Sequence, residues 1–318
     1  MNPPAPLFRD PVYDGAADPT IIWNRDERAW WLLYTNRRAN VAAPGYAWVH
    51  GSDIGIASSS DGGQTWLYRG VLEGLKFERG VNTFWAPEVL WHDGRYHASV
   101  SYVPGVPTHW TGTRHIIHYT STNLWDWKFE SKLALSSERV IDACVCRMPS
   151  GAWRMWYKDE VNTGHTYAAD SDDLYHWQVV GPIITDCSHE GPNVFAWRGY
   201  YWMVTDPWNG LGVYRSEDCL TWQRQENILA QPGTRPDDGV KGGHADVLVL
   251  NDRAYVFYFT HPGRTTPHIE SVAGIEPYSH RRTSIQVAEL AFVSGKIICD
   301  RDRPFGFHLG TPFIESYG

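Results

Sequence analysis

A short motif recurs four times along this 318-residue chain and constrains its fold more than any other feature. Each copy has a Ser, then five residues that include Asp or Asn, then a Trp. Ser, Asp and Asn side chains hydrogen-bond the backbone of turns, and a Trp after the turn anchors the next strand in an apolar layer. The motif therefore predicts a hairpin at each of its four copies: Ser60 to Trp66, Ser121 to Trp127, Ser171 to Trp177 and Ser216 to Trp222.

A second hairpin precedes each copy, and a fifth hairpin of this kind lies at 247–259. Alternating apolar runs flank short turns rich in Gly, Asp and Asn at 24–27, 92–94, 149–151, 197–199 and 251–253, which is the signal of paired strands. Two hairpins in series give four strands, and the unit recurs about every 45 to 60 residues, the blade period of a propeller. A series of β-sandwiches or two β-domains fits this regular recurrence less well.

The sequence thus predicts an all-β, five-bladed β-propeller with four antiparallel strands per blade, in a single domain over 1–318. The blades are expected at 18–70, 85–130, 142–180, 190–225 and 244–300. The last blade lacks the Ser-to-Trp motif, and its third and fourth strands are predicted at 283–290 and 296–299. We expect a strand from the N- or C-terminus to close the ring by pairing with a neighbouring sheet.

Composition limits the classes of molecule that the protein is expected to bind. The net charge is −8 and Lys and Arg do not cluster, which disfavours a nucleic acid or an acidic membrane and favours a neutral oligosaccharide substrate. The N-terminus lacks the pattern of a secretory signal, and no run of about 18 apolar residues occurs. Five cysteines, an odd number, suit a reducing compartment. We expect a cytoplasmic monomer or small homo-oligomer.

Carboxylates recur where the innermost strands begin, close to the propeller axis. They are Asp18 in Ala-Asp-Pro-Thr, Glu88 in Trp-Ala-Pro-Glu, Asp142, and Glu190 in Glu-Gly-Pro, while the fifth strand begins at His244. Acidic groups in one concave space oppose each other's ionisation, which separates their pKa values as a general acid and base require. A single Asp-Pro is simply a turn, but a set in register with the repeat favours a catalytic site.

These motifs resemble glycoside hydrolase family 43, the arabinofuranosidase and xylosidase propellers, over all five blades. The resemblance implies that Asp18 is the general base, Glu190 the general acid and Asp142 the group that tunes and orients the acid. Trp85 corresponds to an aromatic residue of the sugar pocket, with Glu88 beside it as a substrate-binding candidate. His244 corresponds to a histidine that holds a central calcium ion through water and contacts substrate; no organic cofactor is implied.

The implied reaction is single-displacement inversion, in which Asp18 deprotonates water and Glu190 protonates the leaving oxygen. Carboxyl groups about 6.5 to 9.5 Å apart leave room for that water. His189 directly precedes Glu190, as at a His-Glu pair in the related family 117. His189 therefore either shares or replaces the acid role, or orients Glu190 and packs in the wall; histidine is a frequent general acid.

Long loops on the face where the inner strands begin are expected to close one end of the pocket, which favours exo action on arabinofuranosyl, xylosyl, galactosyl or anhydrogalactosyl ends. In the 260–282 loop, either Arg281 or Arg282 is expected to reach the sugar, because neighbours on a strand point to opposite sides. Two rivals remain: a non-catalytic carbohydrate-binding propeller, and a phosphorolytic glycosidase. The latter needs a basic cluster, for which the chain offers Arg281 and Arg282 with Arg264 or Lys241.

Overall fold

The computed structural model describes residues 1–265 and 274–312, and their strands form five antiparallel sheets of four strands each. Within each sheet the strands follow chain order, from the axis outward. The first two blades comprise β1 Ala16–Asn24, β2 Ala29–Asn36, β3 Asp53–Ser59 and β4 Leu67–Val71, then β5 Thr83–His92, β6 Arg95–Val103, β7 His115–Ser121 and β8 Lys128–Lys132.

The remaining blades follow the same plan, and one short helix, α1 (Tyr278–Arg281), precedes β19. The first strands of neighbouring blades pack against one another around the axis, including β17 against β1. The strands are β9 Val140–Arg147, β10 Trp153–Asp159, β11 His165–Ser171 and β12 Gln178–Ile184; β13 Glu190–Trp197, β14 Tyr200–Asp206, β15 Leu211–Ser216 and β16 Gln223–Ile228; and β17 Gly243–Leu250, β18 Arg253–Thr260, β19 Ser284–Val293 and β20 Lys296–Ile298.

The five-bladed propeller predicted from the sequence is therefore confirmed. Its third and fourth strands in the last blade end at Val293 and Ile298 rather than at 290 and 299. All five cysteines are free. Within the described ranges no helix is long and apolar enough to cross a membrane.

The repeated motif forms the turn between the third and fourth strands, as expected. In the second copy the Ser121 hydroxyl accepts the backbone N–H of Leu124, and the Trp127 indole donates to the Leu124 carbonyl. In the first copy the residue in this role is Ser59, whose hydroxyl accepts the Gly63 N–H. The motif there begins at Ser59 rather than Ser60, because this turn holds one more residue than the others.

Ring closure differs from the expectation. No terminal strand joins a neighbouring sheet among the described residues, since each sheet is complete with its own four strands. Phe8 makes only an isolated antiparallel bridge to Ile285, and the C-terminal segment contributes Phe307 and Leu309 to an apolar cluster between the first and last blades. Burial of these side chains stabilises the closed ring, so sheet hydrogen bonds are not needed for it.

A circle of hydrogen bonds links each inner strand to the next. In each link a side chain of one blade bonds the backbone of the following blade, and the pattern returns to the first blade. Buried backbone groups need such partners, so the circle fixes the spacing of the five strands. The links are Thr20 to the Pro87 carbonyl, Glu88 from Val145 N–H, Cys144 from Val194 N–H, Asn193 from Val247 N–H and Asp246 from Ile21 N–H.

A bulge near the start of every inner strand aims side chains at the axis. In each blade the pairing of the first two strands shifts by one residue there, and such bulges redirect side chains beside functional sites. Four bulges contain a residue with a left-handed backbone, which Asp and Gly accept more readily than other residues. These residues are Asp18 (φ 49°), Ala86 (φ 43°), Asp142 (φ 59°) and Gly191 (φ 56°).

Candidate active site

A cavity of about 770 Å³ opens on the face where the inner strands begin. Its walls include Asp18, Asp142, Glu190 and His244, together with Trp85. The structure thus brings together five of the residues selected from the sequence, which come from all five blades. A cavity of this size matches the range of small-molecule sites in proteins, about 300 to 1,000 Å³.

Asp18 is held as a carboxylate. A single guanidinium nitrogen of Arg37 donates to both of its oxygens, at 2.9 and 3.1 Å, and the guanidinium rests on the Phe259 ring, 4.7 Å from its centroid. Burial alone would raise the pKa of Asp18, but the charges of Arg37 and His244 and a hydrogen bond with Thr35 outweigh burial and lower it. A charged, oriented carboxylate is what a general base requires.

Asp142 and His244 lie beside Asp18. His244 Nδ1 is 3.6 Å from an Asp18 oxygen and 4.0 Å from an Asp142 oxygen. Burial opposes protonation of this imidazole, yet the surrounding carboxylates raise its pKa. Burial, together with the charges of Glu190 and Asp18, raises the pKa of Asp142 to about 7. Asp142 also accepts the Gly191 N–H at 3.2 Å, so it bridges the third and fourth blades.

Glu190 has partners that the sequence reasoning missed. Lys158 Nζ lies 3.1 Å from Glu190 Oε2; burial would lower the pKa of Lys158, but Glu190 and Asp142 raise it. Asp206 pairs directly across the sheet from Glu190 and accepts backbone N–H groups of Trp208 and His244 at 2.7 and 2.8 Å. Burial and the charge of Glu190 raise the pKa of Asp206 to about 7.

Lys158 and Asp206 lie at the ends of the second strands of their blades, β10 and β14. In an antiparallel hairpin, the end of the second strand lies beside the start of the first. The sequence signal for Lys158 and Asp206 was therefore the polar end of each second strand, Tyr-Lys-Asp in β10 and Thr-Asp in β14. Arg37, directly after β2, follows the same rule.

His189 does not reach the cavity, which corrects its assignment as an acid candidate. Its side chain is fully buried, with Nε2 at 2.6 Å from the Thr166 hydroxyl and Nδ1 at 2.9 Å from the Cys187 carbonyl. Burial lowers the pKa of this imidazole. Both nitrogens are occupied, so His189 packs in the wall and leaves Glu190 as the exposed group of the pair.

Three substrate-binding assignments also need correction. Arg281 is buried in α1 and donates to the Val41 carbonyl, while Arg282 forms an ion pair with Asp237; neither lines the cavity formed by the described residues. A short helix here replaces the expected extended loop. Glu88 lies outside the cavity lining and joins the interblade circle by accepting the Val145 N–H. Burial and the charge of Asp246 raise the pKa of Glu88 to about 8.

Aromatic rings form one wall of the cavity. Trp85 and Trp110 stack in parallel, with centroids 5.3 Å apart and an interplanar angle of 8°, and the Arg114 guanidinium lies 4.6 Å from the Trp110 centroid. The Trp85 indole donates to the Val49 carbonyl at 2.7 Å, and that of Trp110 donates to Glu160 at 3.0 Å. The wall is thus a fixed apolar surface with its polar edges satisfied.

The residues around His244 do not form a direct calcium site. Calcium takes six to eight oxygen ligands, whereas His244 Nδ1 faces carboxylates that already pair with its ring and with Arg37. Among the described residues, the three-residue group with metal-ligand spacing is Asp186, Cys187 and His189, away from this cavity. Contact through water remains a prediction.

Solved structures with the same architecture include glycoside hydrolases. A thermostable family-43 glycoside hydrolase aligns with 95% of this chain and 99% of its own, at 19% identity and a TM-score of 0.66. A family-43 β-xylosidase/α-arabinofuranosidase from a compost microbial metagenome, in complex with xylotriose and calcium-free, covers 92% and 95% at 16% identity and a TM-score of 0.66. A family-43 β-1,3-galactosidase with galactodeoxynojirimycin covers 92% and 96% at 15% identity and a TM-score of 0.64.

No protein-family model and no curated protein matches the sequence. At identities below 20%, these likenesses establish architecture. The chain therefore has the five-bladed propeller fold of the family-43 glycoside hydrolases.

Proposed function

We propose that this protein is an exo-acting, inverting glycoside hydrolase that releases terminal arabinofuranosyl, xylosyl or galactosyl residues. The observation that carries the proposal is the difference between the carboxyl groups of one cavity. Asp18 has a lowered pKa, whereas Asp142 and Asp206 have values raised to about 7. Such separation by environment identifies acid and base partners in glycoside hydrolysis.

In the proposed reaction Asp18 accepts a proton from the attacking water, and Arg37 holds its oxygens in place. Glu190 donates the proton to the leaving oxygen, since its side chain is 20% exposed against 7% for Asp18. Asp142 and Asp206 lie beside Glu190, and with pKa values raised to about 7 they can carry protons at neutral pH. A proton is thus available on this side of the cavity at neutral pH, while Asp18 remains charged.

Loops close one side of the cavity, which supports action at chain ends. The Tyr46 N–H donates to the Thr108 carbonyl and the Gly45 N–H to the Gly274 carbonyl, both at 2.9 Å. Arg264 adds an ion pair to Glu276 at 3.0 Å. We take these contacts as the closed side of the cavity, where a chain end fits better than a continuous polysaccharide. The fold neighbours are associated with xylosidase, arabinofuranosidase and galactosidase activities, which supports the proposed sugars.

The Lys and Arg residues that line the cavity favour hydrolysis over phosphorolysis, because phosphorolysis needs free cations to bind phosphate. Arg37, Lys158 and Arg264 each form an ion pair with a carboxylate. Of the Lys and Arg residues that line the cavity, only Lys241 has no carboxylate within ion-pair distance among the described residues. A single free ammonium is a weak phosphate site. A purely binding propeller would gain nothing from several buried carboxyls, since burial of each charge is unfavourable.

The test is sugar release from a panel of xylo-, arabino- and galacto-configured oligosaccharides, with and without phosphate. We expect release without phosphate, and losses of more than about a thousandfold in Asp18→Asn and Glu190→Gln. Glu217→Gln, an exposed carboxylate away from the cavity, is the matched control. Early proton NMR spectra should show the product anomer opposite to the substrate. Retention of configuration would reject inversion, and unchanged activity in both site variants would reject the assignment.

A further inference from the structure

Three cationic side chains surround one buried carboxylate, that of Glu160, beside the aromatic wall of the cavity. Arg114 Nη1 and Arg139 Nη2 both contact Glu160 Oε2, the second at 3.4 Å, and Lys158 Nζ lies 3.8 Å from Oε1. Lys158 also pairs with Glu190, at the shorter distance of 3.1 Å. Two guanidinium groups thus face the single charge of Glu160, and the arginine cluster, formed by Arg114, Arg139 and Glu160, carries an excess of positive charge.

The backbone holds the two arginines side by side. The Arg114 N–H donates to the Glu138 carbonyl at 2.8 Å, and the Arg114 carbonyl accepts the Val140 N–H at 3.1 Å. Arg114 and Arg139 thereby form a parallel bridge where the second and third blades meet. The Glu160 N–H donates to the Arg139 carbonyl at 2.9 Å, which brings the carboxylate to the same place. Main-chain contacts therefore fix the arginine cluster in addition to the attraction of its charges.

Arg114 has hydrogen-bond donors that no described residue satisfies. Its side chain is fully buried, yet its Nε and Nη2 have no partner among residues 1–265 and 274–312, and Nε of Arg139 is also buried and unpaired there. The neighbouring Trp110 ring offers only its π face, 4.6 Å from the guanidinium. Burial lowers the pKa of Arg114 despite the charge of Glu160, and Arg139 lowers it further. A buried cation with unpaired donors is unfavourable without a matching counter-charge.

We propose that the arginine cluster binds a small monovalent anion of the chloride type, held by the unpaired N–H groups of Arg114 and Arg139. Such an anion accepts charge-assisted hydrogen bonds and balances the excess charge, whereas water would satisfy the donors and leave the charge. A dianion such as sulfate would overcompensate that charge beside Glu160. The Arg139 side chain is 34% exposed, which gives the ion a route from solvent. Neither arginine lines the sugar cavity formed by the described residues, so the site is separate from the proposed hydrolysis.

The test measures the Tm while sodium chloride replaces sodium gluconate at constant ionic strength. The wild-type Tm should rise by about 2 to 5 °C, because an ion that binds only the folded state stabilises it. Arg139→Gln removes one of the two charges at a partly exposed residue, so its Tm should rise by less than about 1 °C. Glu160→Gln removes the opposing charge, so the chloride concentration that gives half of the rise should fall by about tenfold. Arg253→Gln, which removes a guanidinium paired with Glu289 in the last blade, should keep the full rise.

Crystals grown with sodium bromide locate the ion directly. We expect an anomalous diffraction peak within about 3.5 Å of Arg114 Nη2. The absence of a Tm rise in wild type, an equal rise in Arg139→Gln, or an ordered water instead of bromide on Arg114 would overturn the proposed anion site. Neither measurement needs turnover, so the anion site is supported or rejected even if the protein hydrolyses none of the sugars.

Discussion

Removal of the Arg37 charge tests the assignment of Asp18 most directly. Arg37→Met keeps an unbranched side chain over Phe259 but leaves the buried Asp18 without the guanidinium nitrogen that donates to both of its oxygens. Two opposite charges about 4 Å apart attract by about 4 kcal/mol at an effective dielectric constant of about 20. About 1.4 kcal/mol corresponds to one pH unit, so the pair is worth at most about 3 units. Because His244 still faces Asp18, at 3.6 Å, we expect about 2.

The sign follows from the direction of the pKa. Asp18 must be charged to accept a proton from water, and its folded-state pKa is lowered. Loss of Arg37 raises that pKa, so the acidic limb of kcat/KM should move to higher pH by about 2 units. The assay is a kcat/KM profile from about pH 4 to 9 on whichever substrate the panel identifies.

Arg37→Lys is the matched variant, because it retains the charge without the planar fork; its acidic limb should move by less than about 1 unit. Breaking a buried ion pair destabilises a protein by about 3 to 5 kcal/mol. Circular dichroism is therefore the control that checks whether both variants are folded. If Arg37→Met loses activity equally at all pH values, with its acidic limb in place, Arg37 does not act through Asp18 and the reasoning is refuted.

Three further outcomes are expected. In Gly191→Ala the new β-carbon would lie 2.6 Å from the His244 ring at a residue with φ 56°, so kcat should fall at least about tenfold with a stability loss of about 1 to 3 kcal/mol by urea unfolding; full activity would contradict this. Burial lowers the pKa of His97 and His118 to about 4 each, so the unfolded chain binds more protons between about pH 6.5 and 4. As the pH falls through that window, the free energy of unfolding should decrease by up to about 3 kcal/mol per histidine. His118→Phe should make this decrease smaller. Dialysis against EDTA should remove the calcium ion that is predicted to be held by His244 through water, so the Tm or the turnover rate should fall and CaCl₂ should restore it; unchanged values would contradict that prediction.

The fold and half of the site could be predicted from the sequence because their signals are local. The Ser-to-Trp turns need only a few neighbouring residues, and they recur with the blade period. Asp18 and Asp142 were identifiable because each begins an inner strand, so their position in the repeat gave their position in space. Ring closure was not readable, because Phe8 and Phe307 act through apolar packing, which leaves no pairing pattern in the sequence.

The errors at the site have one physical cause. Assignments of Arg281, Arg282 and His189 to the cavity required knowledge of where a side chain points within a loop, which depends on contacts distant in sequence. Arg282 is directed away by Asp237, and His189 is held in the wall by Thr166. Neither contact has a local sequence signal.

Lys158 and Asp206 were missed for a related reason. The argument from strand starts considered only first strands, whereas an antiparallel blade brings the end of its second strand to the same face. Any residue there can complete the chemistry begun on the first strand. Thr35, near the end of β2, shows the same geometry. Its hydroxyl bonds both Asp18 and the Ala86 N–H, and it ties the proposed base to the next blade.

The repeated bulge explains how a repetitive fold can hold an asymmetric site. The five bulges are equivalent in topology, and the residue in each determines what the axis presents. Asp18, Asp142 and His244 supply two carboxyls and an imidazole, while Ala86 and Gly191 supply almost no side chain. Gly191 leaves the space that the His244 ring fills, and that ring in turn contacts both aspartates. Gly191 is therefore as necessary to the charge arrangement as the ionisable residues, because a larger side chain there would force the imidazole away from the carboxyls whose pKa values it shifts.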